Sequence, residues 1–92
     1  MKYYAIYRSP LESEAPYELY WGAVRPRSTE RRQLIWIAEF NGDGGESFRK
    51  EADLFLLVDN AVDGLNDETV TMRDLPQRLT TTLGFVNPRL IV

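Results

Sequence analysis

"RQLIWIAEF", residues 32–40, decides the fold. In an extended chain successive side chains point to opposite faces. Leu34, Trp36, Ala38 and Phe40 would then share one face, with Ile35 and Ile37 on the other between Gln33 and Glu39. A strand with one face in water alternates apolar and polar residues, whereas this one is apolar on both faces at its centre. The pattern predicts a central strand that is covered on both sides, or one with a face offered to a partner.

Working outward, "YELYWGAVR", residues 17–25, reads as a strand with Tyr17, Leu19, Trp21 and Ala23 on one face. Glu18, Tyr20, Gly22 and Val24 take the other. Its closeness in sequence to 32–40 predicts an antiparallel hairpin of the two. "KYYAIYR", residues 2–8, is rich in strand formers, and "SPLESEAP", residues 9–16, is a proline-punctuated loop.

Beyond residue 40 the period changes. From Ser47 to Asp63 it is helical, with Phe48, Ala52 and Phe55 beside a second stripe of Leu54, Leu57, Val58, Ala61 and Leu65. Gly64 is placed to end that helix as its C-cap. "ETVTMR", residues 68–73, alternates as a short strand. Asp74 and Gln77 have capping-box spacing ahead of Leu75, Leu79 and Leu83, a short helix ended by Gly84. The apolar end of "FVNPRLIV" predicts a docked edge strand. The whole is one α+β domain over residues 1–92. It has an antiparallel sheet of three to four strands carrying one long and one short helix, in the order β-β-β-α-β-α with a possible final β.

With 92 residues, eleven of them aromatic, the chain can close one core of roughly 5–10 kcal/mol stability. It has neither cysteine nor histidine, so disulfides, thiol nucleophiles and the commonest general base are excluded. The serines at 9, 13, 28 and 47 have no histidine to activate them, and no acid sits in a clearly apolar context. The expectation is a protein that is not an enzyme and uses no cofactor. The start, Met1-Lys2-Tyr3-Tyr4, lacks the long apolar stretch of a secretory signal, and the longest fully apolar run is Leu54 to Val58. A soluble cytoplasmic protein without a membrane partner is expected.

One stretch resembles a metal site. In "EFNGDGGESFRKE", residues 39–51, Glu39, Asn41 and Asp43 fall at positions 1, 3 and 5 of a calcium loop, with Gly44 at 6. Position 12 is Lys50, where the bidentate carboxylate belongs, so the stretch reads as a strand-to-helix turn capped by Ser47 or Asp43, with no metal.

Charge is uneven about the net −3. Residues 25–32, "RPRSTERR", hold four arginines against one glutamate, while residues 39–74 hold ten acids against three bases. The arginines 25, 27, 31 and 32, with aromatics on neighbouring strands, define a nucleic-acid alternative. The favoured expectation is protein binding, to another protein or to a second copy in a homodimer, because the apolar surface exceeds the needs of a two-layer core. Its anchors are Trp21, Trp36, Phe55 and Leu56, and the acids around Asp53 and Asp59 would steer a basic partner. A phage- or plasmid-type inhibitor of a nucleic-acid-binding machine fits that size and charge.

Overall fold

A computed structural model describes residues 1–9, 14–40, 51–79 and 84–91. Strands β1 (Lys2–Arg8), β2 (Tyr17–Gly22) and β3 (Gln33–Phe40) precede helix α1 (Glu51–Asn66). A 3-10 turn (Met72–Asp74), helix α2 (Leu75–Leu79) and strand β4 (Phe85–Leu90) follow. The chain is α+β, with one antiparallel sheet in the order β2-β1-β3-β4. The expected turn at 41–50, with the first residues of the long helix, lies outside the described residues, as do Leu83 and much of the 9–16 loop.

The expected β2–β3 hairpin does not form. β1 lies between them, paired with β2 from Tyr3↔Gly22 to Arg8↔Tyr17 and with β3 from Lys2↔Phe40 to Arg8↔Gln33. The reason is visible in β1 itself. Tyr4 and Ile6 on one face, and Ala5 and Tyr7 on the other, are all buried, so β1 needs cover on both faces and a partner on each edge. β2, whose second face carries Glu18 and Gly22, is the strand best able to tolerate the sheet edge.

One face of the sheet carries α1 and α2. Tyr4, Ile6, Trp36, Ala38 and Phe40 pack there against Leu54, Val58, Ala61, Leu65, Leu75 and Leu79. The other face holds Ala5, Tyr7, Leu34 and Ile37. Leu34 was expected beside Trp36, but β3 bulges: Ile6 pairs with Trp36 and Tyr7 with Leu34, leaving Ile35 as the extra residue. The bulge exchanges the faces of Leu34 and Ile35.

The Arg-rich stretch covers this second face. Residues 23–32 link β2 to β3 across β1, and are not the tip of a hairpin. Pro26 is buried, and the Tyr7 hydroxyl both donates to Arg27 C=O (3.2 Å) and accepts from Arg27 N–H (3.1 Å). Tyr20 donates to Val24 C=O at 2.6 Å, and Leu34 N–H donates to the Ser28 hydroxyl at 2.9 Å. The two-sided apolar pattern of β3 is thus explained by three layers: helices, sheet and strap.

Two further expectations are corrected after α1. Gly64 is not a cap but lies inside the helix, where a Cβ would stand 2.3 Å from Val70 Cγ2. The missing side chain lets the returning chain lie against the helix. Residues 68–73 are not a strand. Thr69 and Val70 N–H groups both donate to Gly64 C=O, at 2.9 and 3.0 Å, and Glu68 takes the left-handed φ of 66° that reverses the chain. Side chains then compete with any ladder. Asp67 accepts from the Thr69 hydroxyl at 2.6 Å, which holds its carboxyl below the ordinary range. Asp74 accepts from Thr71 N–H and hydroxyl at 3.2 and 3.0 Å. Val70 is left buried as a single plug.

Candidate protein-docking surface

α1 packs over β2 and β1 and runs toward the sheet edge. Its C-terminal end is fastened to that edge by Asn66. Tyr17 N–H donates to Asn66 Oδ1 at 2.9 Å, and Asn66 Nδ2 donates to Tyr17 C=O at 3.0 Å. At the other end, the Tyr4 hydroxyl donates to Glu51 C=O at 3.0 Å. Burial, and then the nearby Glu51 carboxylate, push the Tyr4 pKa up to about 12.

Between these two fastenings the helix and the edge strand leave a groove of about 710 Å³, lined by Tyr4, Trp21, Glu51, Ala52, Phe55 and Leu56. Trp21 sits opposite Tyr4 in the register and meets Phe55 edge to face, with ring centroids 6.5 Å apart. Trp21 is 46% exposed, Phe55 37% and Leu56 54%. Lys2 closes one end, with Nζ 5.0 Å from the Trp21 ring centre and 3.2 Å from Glu51 Oε1.

Three of the four expected anchors therefore come together. Trp36 does not: it is fully buried against Phe85, ring centroids 5.4 Å apart, and belongs to the core. Its indole N–H has no partner among the described residues. Asp53 also falls away from the groove, since it lies two residues from Phe55 and thus about 200° around the helix. Asp59, about one helical turn beyond Phe55, is half-buried and is not among the residues that line the groove. Sequence reasoning missed Tyr4, Glu51 and Lys2. The β1–β2 register, which puts Tyr4 beside Trp21, is the signal that identifies them.

The arginines behave differently from one another. Arg25 reaches Glu39 at 3.4 Å and lies over the Tyr3 ring; Arg32 reaches Glu18 at 2.9 Å and lies over Tyr7, 4.8 Å from its centre. Both are engaged in holding the strap. Arg27 and Arg31 are exposed, and no ion pair reaches them among the described residues. The strap and the exposed indole of Trp21 lie on opposite faces of the sheet, whereas Tyr20 shares the strap's face.

Among the described residues there is no group of three acids placed to hold a metal ion, and no helix is long and apolar enough to cross a membrane. No protein-family model, curated protein or solved structure matches the chain.

Proposed function

We propose that this chain is a non-enzymatic protein-binding module of the cytoplasm, which docks a partner in the groove of Trp21, Phe55 and Leu56. The observation that supports this most strongly is the contiguous exposure of those three side chains. Scattered apolar residues are normal on a surface, but two aromatic rings and a leucine around one concavity are the composition of an interface centre. Of the acids of α1, Glu51 is paired with Lys2 and Asp53 turns away from the groove, so Asp59 and Asp63 are the ones that favour a cationic partner. An inhibitor of phage or plasmid type, occluding a basic surface on a nucleic-acid-binding machine, is the specific role that fits this charge. The nucleic-acid reading has weaker support, because Arg25 and Arg32 are already paired within the chain.

The test is capture of the partner from the native host by the intact chain and by two variants. Leu56→Asp should abolish capture, and Arg27→Glu/Arg31→Glu should leave it unchanged. The reverse pattern would move the working surface to the strap.

A further inference from the structure

The edge beside the groove specifies how a partner would sit. In an antiparallel pair, alternate residues turn their N–H and C=O toward the neighbouring strand and the rest turn them away. The phase is set here by the Ser9 N–H bond to Pro16 C=O, 2.7 Å, at the position that continues the β1–β2 register. Residues 18, 20 and 22 then bond to β1, and Tyr17, Leu19 and Trp21 turn theirs outward. The two bonds from Asn66 to Tyr17 agree with that phase, because they satisfy an outward pair. Among the described residues, no hydrogen bond reaches the outward groups of Leu19 or Trp21.

The opposite edge is defended. β4 carries Pro88, which has no N–H, and Asn87 at φ 50°, and its pairing with β3 breaks between Ile37 and Glu39. The open edge at β2 is thus confined to Leu19 and Trp21 among the described residues, and Trp21 also lines the apolar groove.

We infer that this edge accepts an extended, lysine- or arginine-bearing peptide segment of another protein as a fifth strand, with an apolar side chain of that segment in the Trp21–Phe55–Leu56 groove. The inference rests on the docking reading above. The ladder comes from Leu19 and Trp21, and selectivity comes from the groove and from the acids of α1. A second copy fits less well. Pairing β2 with β2 about a two-fold axis continues the sheet and sets the two α1 helices side by side on one face. Each α1 carries Glu51, Asp53, Asp59 and Asp63, of which Glu51 is offset by Lys2, so the two helices would bring net negative charge to the same face.

The experiment uses the full chain and three blocked hexapeptides. One alternates lysine with valine and phenylalanine, one has glutamate in place of lysine, and one repeats the first with N-methyl groups at alternate backbone nitrogens. Binding is followed by amide resonances and hydrogen exchange. The lysine peptide should protect the Leu19 and Trp21 amides. The glutamate and N-methylated peptides should each bind at least about tenfold more weakly. Equal binding of the N-methylated peptide, or a lysine peptide that leaves both amides unprotected, overturns the added strand while leaving the groove as a docking site. Absence of binding by the lysine peptide overturns the inference, and host capture with Leu56→Asp still judges the wider reading. A dimeric solution mass that Leu56→Asp makes monomeric overturns it in favour of a second copy.

Discussion

Gly64 and Glu68 show how single residues shape the end of α1. Alanine at 64 improves helix propensity by about 1 kcal/mol, but its methyl group meets Val70 Cγ2 and Cβ at 2.3 and 2.9 Å. The clash wins because Val70 is buried and β-branched. Gly64→Ala is expected to destabilise the protein by about 1–3 kcal/mol in denaturant unfolding. Glu68 occupies the left-handed position that glycine commonly holds after a helix end, so Glu68→Gly is expected to stabilise by about 0.5–1 kcal/mol. The two substitutions reverse what the sequence pattern suggests, since the glycine at 64 looks like the cap. Tyr4 adds a pH dependence. Its folded pKa of about 12 lies above the ordinary 10, so the unfolded chain loses this proton first. Stability from this group is full below pH 10 and falls as pH rises toward 12. Unfolding midpoints at pH 9, 10 and 11 should decline by more in the native protein than in Tyr4→Phe.

At the scale of elements, Asn66 joins α1 to the edge of β2 by mimicking a strand's two backbone bonds. Asn66→Ala leaves Tyr17 N–H and C=O without these partners and is expected to cost about 1–2 kcal/mol. It also extends the open edge from two residues to three, so concentration-dependent association should increase. Asn66→Asp keeps the acceptor for Tyr17 N–H and loses the donor to Tyr17 C=O, so its cost should be similar and its carboxylate should oppose association. The strands β1, β2 and β3 and the long helix are legible from period alone, because each repeats its pattern over at least six residues. The short elements are not. Residues 68–73 alternate like a strand, yet the Asp67–Thr69 and Asp74–Thr71 bonds hold a turn and a 3-10 segment. The bulge at Ile35 leaves no mark in a sequence that is apolar at every position from Leu34 to Ala38.

Across the whole molecule, the fold carries the Arg-rich strap and α1 to opposite faces of the sheet, with Arg25 and Arg32 paired to Glu39 and Glu18. The strap presents Arg27 and Arg31, and α1 presents Glu51 at the groove, with Asp59 and Asp63 further along the helix. Trp21, Phe55 and Leu56 stand out in the sequence as large apolar groups, and the fold leaves all three exposed around one groove. Trp36 was not separable from them, since a central strand and an interface strand share the same two-sided pattern, and only the strap shows which applies. The groove as a docking surface is the central claim, and Leu56→Asp tests it most directly. Leu56 is more than half exposed, so the substitution should change unfolding stability by less than about 0.5 kcal/mol. The account predicts a folded variant of unchanged stability that no longer captures the partner held by the native chain. A variant equally stable and equally able to capture that partner would contradict it.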